Sequence, residues 1–238
     1  MKKTRVSVAM ATFNGEKYIK EQLRSILDNL RTEDEVIISD DGSSDSTIEI
    51  IKGFNDDRIK IINGPKKGVK KNFEYALKHT TGEIIFLSDQ DDIWNENKLK
   101  TVLNIFEEDE NITLVMHDAM VFDSENNNVI QDSFFKYRKS KKGVINNIIK
   151  NSYIGCCIAF RKKLMNYIFP IPNRIEMHDQ WIGLISDIYG NNFLCKDVLL
   201  EYRRHNCNVS KMTHYPLLRM IINRVVLIFS LIMRCIHK

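Results

Sequence analysis

Within its first hundred residues this chain switches repeatedly between two hydrophobic periods, and few architectures can absorb that alternation. Arg5–Ala11, Glu35–Ser39, Ile59–Ile62 and Glu83–Ser88 are short β-prone runs, the last almost continuously apolar. Between them the spacing becomes helical. Ile19, Leu23, Ile26, Leu27 and Leu30 form one apolar stripe, and Val69, Phe73, Ala76 and Leu77 form another. Ser and Asp residues in Asp40–Asp45 are suited to cap a further helix through Ile48, Ile50 and Ile51. An unbroken apolar strand belongs in a sheet covered on both faces. Strands separated by helices therefore predict a mainly parallel sheet with right-handed crossovers. At 238 residues and 43% hydrophobic, the chain can bury one large core, with little room for a second full domain.

Ligands of such sheets gather beyond the carboxyl ends of the strands. The residues there are Thr12-Phe13-Asn14, Asp40-Asp41-Gly42 and Asp89-Gln90-Asp91-Asp92. No GxGxxG or Walker-type glycine loop is present, which weighs against dinucleotide and P-loop readings. Asp89, Asp91 and Asp92 crowd three like charges onto one strand end. A bound cation or raised pKa values would relieve the repulsion, and hard oxygen donors suit Mg²⁺ or Mn²⁺ together with substrate phosphates. An acidic turn capping a helix that starts near Asn95 would look the same.

The second half is less regular. Thr113–Phe122 and Ile154–Phe160 read as strands, Lys136–Lys142 as a basic loop, and Gly143–Asn151 and Lys162–Tyr167 as weakly helical. A helix from about His178 places Ile182, Ile185 and Ile188 near one side and Asp179 at its start, where an ionised carboxylate complements the helix dipole. A strand is expected at Val198–Tyr202, followed by Arg203, Arg204 and His205. Charge is strongly segregated: residues 1–132 carry −9, residues 133–175 carry ten basic groups and no acid, and residues 202–238 carry seven basic groups and no acid. That pattern points to an anionic partner near the C-terminal half, although a solvated basic surface has the same composition. Nucleic acid is disfavoured, because aromatic interleaving of the basic stretch is limited to Phe134, Phe135 and Tyr137. Five cysteines show neither zinc spacing nor an even framework, and no secretory signal is visible; reduced thiols and a cytoplasmic location are expected.

The order and spacing of TFNG, DDGSSDST and SDQDDIW, with MHDQW and YRRHN further on, resemble family 2 glycosyltransferases of the GT-A fold. The rhamnosyltransferase-like bacterial members that assemble surface polysaccharides are the nearest in pattern. The resemblance covers about residues 5–210. It implies a metal-dependent, inverting transfer of a UDP- or dTDP-linked sugar, rhamnose among the candidates, to a hydroxyl of a glycan or lipid-linked acceptor. Nucleotide-sugar contacts are implied at Thr12, Asn14, Asp40, Asp41, Lys71, Asn72, Asp89 and Arg204. Metal contacts are implied at Asp91, Asp89 and His205, and the catalytic base at Asp179, with His178 and Trp181 near the pocket. The expected organisation is a catalytic domain over residues 1–212, its nucleotide-sugar half 1–100 and acceptor half 101–212.

An amphipathic tail over 213–238 completes the chain. Its apolar run Val225–Met233 is too short to cross a bilayer. An interfacial helix is expected, lying on the inner face of the cell membrane with Arg219, Arg224 and Arg234 reaching lipid phosphate. The competing placement is a helix packed on the domain or on a second copy. The competing activities are metal-dependent nucleotidyl transfer and a non-catalytic, membrane-docked nucleotide-sugar-binding protein.

Overall fold

A computed structural model describes residues 4–206, 208 and 216–237; Cys207 and the expected 212/213 domain boundary lie outside the described residues. The strands are β1 (Val6–Thr12), β2 (Glu35–Asp40), β3 (Ile59–Asn63), β4 (Ile84–Ser88), β5 (Ile93–Trp94), β6 (Leu114–Asp123), β7 (Val129–Gln131), β8 (Ile158–Arg161) and β9 (Asn192–Arg204). The helices are α1 (Ile19–Asn29), α2 (Thr47–Lys52), α3 (Val69–Lys78), α4 (Lys98–Glu108), α5 (Phe134–Arg138), α6 (Val144–Ile149), α7 (Met165–Ile168), α8 (His178–Tyr189) and α9 (Leu217–Ile236).

The strands form one mixed sheet in the order β3-β2-β1-β4-β8-β6-β9-β5, with β7 paired to β6. β3, β2, β1 and β4 are mutually parallel, as the alternation requires. β8 runs antiparallel to both β4 and β6, so β6 and its parallel neighbour β9 point the same way as the first four strands. Every residue of β1, β2 and β4 is buried. The apolar side chains among them supply the driving force, at about 1.5–3 kcal/mol for each large side chain removed from water. Helix stripes complete the core: Ile19, Leu23 and Ile26 of α1 and Phe73, Ala76 and Leu77 of α3 are all buried.

The irregular half departs from expectation in three places. Lys136–Lys142 is not wholly loop: α5 occupies Phe134–Arg138, because the Ser133 side chain caps Lys136 N–H and buried Asp118 accepts from Phe135 N–H. Ile154–Phe160 is not one strand; Gly155–Cys157 forms a 3₁₀ turn before β8 begins. The strand expected at Val198–Tyr202 is longer, and Arg203 and Arg204 lie within β9 rather than after it. None of the described helices is long and apolar enough to cross a membrane.

Candidate active site

The parallel strands deliver their carboxyl ends to one edge, where the chain's own polar groups shape two linked loops. Asp40, at the end of β2, spends its carboxylate on its own turn. It accepts from Thr12 Oγ1 at 3.1 Å, Ser43 Oγ at 2.5 Å, and the N–H groups of Gly42 and Ser43 at 3.0 and 2.8 Å. Gly42 sits at φ 96°, a conformation that costs a side-chain-bearing residue dearly. Asp41 is more exposed and is held by Gly68 N–H at 2.7 Å. Of the two acids, Asp41 is the one with carboxylate surface left for a ligand.

Thr12 is buried, and its carbonyl already accepts from Asp41 N–H and the Asn72 amide. Asn14 donates its N–H to Ser43 Oγ and accepts from Ser44 N–H, both at 2.9 Å. The outward feature of this loop is therefore the ring of Phe13, 55% exposed, rather than free backbone groups. Asn72 is buried and stitches β1 to β2 through Thr12 O and Ser39 O. Lys71 is paired with Glu74 at 2.6 Å and reaches Ile171 O. Both side chains support the loops from within. Gln90, not singled out in the sequence, ties the β4 loop to the β1 loop by a two-point clamp on Phe13 N–H and O.

The acidic cluster divides into two groups. In one, the oxygens of Asp89 and Asp92 and the sulfur of Cys156 lie within 4.8 Å of one another. Burial pushes Asp89 well above the carboxylate range, and the charges of Asp91, Asp92 and Asp179 add to the shift. Burial and Asp91 likewise push Asp92 up to about 7. One Asp92 oxygen accepts from Arg203 N–H at 3.0 Å, while the other has no partner. Beneath them lies Lys98, fully buried, donating to Cys156 O at 2.8 Å and standing 4.0 Å from the Trp94 ring centre. Burial lowers its pKa to about 8, which still leaves mostly cation at neutral pH to offset the carboxylates.

In the other group, Asp91 Oδ2 faces His205 Nε2 at 2.7 Å, with Asn208 Nδ2 at 3.3 Å from the same oxygen. Asp91 and His205, two of the expected metal ligands, are thus brought together across more than a hundred residues. Adjacent ligands of an octahedral Mg²⁺ sit about 3 Å apart, given metal–oxygen distances of about 2.1 Å. The Asp91–His205 pair fits such an ion with little movement. The Asp89–Asp92–Cys156 group fits less well, because burial drives the Cys156 thiol well above its usual range and keeps it protonated.

Arg203 makes its contacts within the protein. It is buried, pairs with Glu21 at 2.5 Å, donates to Asp91 O at 2.7 Å and packs between the rings of Tyr18 and Phe122. The next residue, Arg204, is half-buried at the end of β9, 3.5 Å from Tyr202 Oη.

Asp179 stands in the first turn of α8. Its Oδ1 accepts from Gln180 N–H at 2.6 Å. Burial raises its pKa to about 6 against the opposing hydrogen bonds from Gln180 and Gly155 N–H. Its charge is felt at Asp89, so residues ninety positions apart share one electrostatic site. His178 beside it is buried, stacks on Phe73 at 4.1 Å, and leaves both ring nitrogens without a partner. Burial depresses its pKa to about 3, so the ring is neutral. Trp181, expected near the pocket, belongs to the core instead: it is fully buried with its indole N–H on Ile168 O at 2.9 Å.

A parallel nucleotide-binding half-sheet, an acidic rim beyond its fourth strand and a carboxylate opposite define a GT-A glycosyltransferase architecture. Residues 7–169 match the family model described as Glycosyl transferase family 2, and the chain belongs to that family. One relative is the UDP-Glc:alpha-D-GlcNAc-diphosphoundecaprenol beta-1,3-glucosyltransferase WfgD of Escherichia coli. It is 29% identical over 208 residues, covering 86% of this chain and 79% of WfgD. Another is the dTDP-rhamnosyl transferase RfbG of Shigella flexneri, 39% identical over 103 residues, covering 40% of this chain and 36% of RfbG. Among solved structures, residues 1–349 of TarS from S. aureus, in complex with UDP-GlcNAc, superpose with a TM-score of 0.73 at 22% identity. That likeness covers 94% of this chain but only 66% of the TarS fragment, and at that identity it speaks for the fold.

Proposed function

We propose that this glycosyltransferase moves a sugar from a UDP- or dTDP-linked donor onto a hydroxyl of a glycan or lipid-linked acceptor, with inversion, during cell-surface polysaccharide synthesis. The observation that carries the reading is the convergence of Asp179 with the Asp89–Asp92 cluster. It sets a raised-pKa carboxylate opposite an acidic, cation-compatible rim. WfgD, whose name gives a diphosphoundecaprenol-linked acceptor, supports a lipid-linked acceptor here; RfbG, named for dTDP-rhamnose transfer, supports the alternative donor.

In this reading Asp41 accepts the imide N–H of a uracil or thymine base, and the exposed Phe13 ring offers a stacking face. Asp89 serves the donor's ribose, and Arg204 stands by for its diphosphate. Asp91 and His205 would hold Mg²⁺ or Mn²⁺, which offsets negative charge on the leaving diphosphate. Asp179 takes the proton from the acceptor hydroxyl. A carboxylate with a pKa near 6 is a stronger base than an ordinary one yet remains ionised at pH 7. The acceptor oxygen bonds to the anomeric carbon while the carbon–oxygen bond to the diphosphate breaks on the opposite face. The diphosphate keeps the electron pair, and no sugar–enzyme intermediate forms. Residues 1–212 would make up the catalytic domain and 213–238 a tail that brings it to the inner membrane face.

The test is product identity. Purified chain with Mn²⁺ and a panel of nucleotide sugars should release nucleoside diphosphate, faster with a lipid-linked saccharide present. Asp179→Asn and Asp91→Ala should each lower the rate at least a hundredfold without loss of fold. Release of pyrophosphate instead would identify nucleotidyl transfer. Donor binding with neither transfer nor hydrolysis would identify a non-catalytic binding protein.

A further inference from the structure

Two of the three arginines of α9, Arg224 and Arg234, point the wrong way for the interfacial helix expected from sequence. Arg224 donates to the carbonyls of Ile148 and Ile149 at 3.1 and 2.7 Å. Arg234 donates to the carbonyls of Tyr167, Phe169 and Pro170, the last two at 2.9 and 2.6 Å, and lies over the Trp181 ring. These charges clamp the helix to the domain. Leu227 and Leu231 are buried on the same side. What α9 turns outward is its apolar side: Leu218, Ile222, Val225, Phe229, Ile232 and Ile236 are 51–70% exposed. They recur at three- and four-residue steps, one stripe along a helix of about 30 Å.

α6 extends that face. It packs against α9, and its Ile145 and Ile149 are 74% and 63% exposed. Between α6, α8 and α9 runs an open groove of about 320 Å³, lined entirely by aliphatic side chains and Cys235. Monomeric proteins rarely leave so large a contiguous apolar patch bare. Among the described residues, basic groups predominate around it, although Asp187 of α8 accepts from Gly143 N–H at the start of α6. Lys136, Lys139, Lys141, Lys142 and Lys150 flank α6 and are all exposed. Against α9, Glu176 accepts from Asn223.

We infer that α6 and α9 together form a membrane-docking surface that seats in an anionic phospholipid bilayer, with the apolar stripe at the acyl boundary and the α6 lysines on the headgroups. Charge complementarity selects this occupant. A two-fold pairing of copies through the same face would bring two lysine rims together, whereas anionic headgroups neutralise one. The contact lies outside the transfer machinery, so it stands or falls separately from the proposed reaction, although it agrees with a lipid-linked acceptor.

The test is flotation of the full chain with vesicles of phosphatidylcholine alone or with 30% phosphatidylglycerol. Binding to the anionic vesicles should exceed binding to the neutral ones at least tenfold and weaken in 0.5 M NaCl. Ile222→Glu with Phe229→Glu should reduce it at least tenfold. Lys139→Glu with Lys142→Glu should erase the preference for phosphatidylglycerol. A Phe229→Trp variant guards against misfolding: its emission should shift to the blue on vesicle addition and be quenched by brominated acyl chains. Light scattering without lipid should give a monomer. The inference is overturned by absent flotation with unshifted Trp emission, or by a dimer that the Ile222/Phe229 substitutions dissociate. Nucleotide-induced thermal shifts, read in the same preparations, report on the donor site independently.

Discussion

Replacing Asp179 by Asn should make the protein inactive and, at alkaline pH, more stable. In the folded chain this carboxyl titrates at about 6 instead of near 3.8, chiefly because burial disfavours its ionised form. The native state therefore holds the proton more tightly than the unfolded chain does. By linkage, this group's contribution to stability is greatest at low pH, declines as pH rises from about 4 to about 6, and is constant above that. Two pKa units at about 1.4 kcal/mol each set a ceiling of about 3 kcal/mol on the cost at pH 8. Asn keeps an oxygen for the Gln180 N–H but presents a donor at its other terminal atom. Losing the Gly155 N–H bond returns about 1 kcal/mol, leaving a net gain of about 2 kcal/mol. For a chain of this size that is about 4–8 °C in Tm. At pH 4.5 the wild-type carboxyl is mostly protonated and the two proteins should melt within about a degree of each other. Thermal unfolding with EDTA at both pH values measures the difference. Meanwhile kcat/KM of the wild type should fall about tenfold per pH unit below 6. An Asp179→Asn protein that melts below wild type at pH 8, or gains equally at both pH values, would refute the burial argument.

Two further outcomes follow from charges outside the site. Glu35, 1% exposed, would be raised by burial, but hydrogen bonds from Lys60, Thr81 and Ser7 bring it down to about 2. It therefore stabilises the fold above pH 4.5, and that stability is lost as pH falls towards 2. Glu35→Gln should lower stability by about 2–3 kcal/mol at pH 7 and by almost nothing near pH 2; an unchanged urea midpoint at pH 7 would rule this out. Arg234→Ala removes three hydrogen bonds and should loosen α9, so trypsin should cut after Arg219 or Arg224 several-fold faster than in wild type. Equal cleavage rates would mean the clamp does not hold the helix.

The doubly wound half was legible because its signals are local. Short β-prone runs became β1, β2 and β4, and the carboxyl-end rule then located both acidic loops before any contact was known. The second half resisted for the opposite reason. β8, β6 and β9 are joined by pairings between residues far apart in sequence, and α5 forms through a cap from Ser133 and Asp118 that no periodicity announces. The internal bonds of Asn72 and Lys71 were hidden likewise. Their types suit polar recognition, but whether an amide faces outward or stitches two strand ends depends on neighbours at Thr12, Ser39 and Ile171.

Lys98 is the instructive omission, because its signal was present. It shares a helical stripe with Val102 and Phe106, at i, i+4 and i+8, so a charge stands where an apolar residue belongs. Such a lysine is kept buried only if something nearby repays its desolvation. Asp89 and Asp92 do so, and the benefit is mutual: a fully buried Asp92 with an unpartnered oxygen would be hard to sustain beside Asp91 without a cation below it. The acidic rim is therefore built from two charge layers, a fixed ammonium beneath and the Asp91–His205 pair above. That division explains how three aspartates can crowd one strand end in the folded protein before any divalent ion arrives.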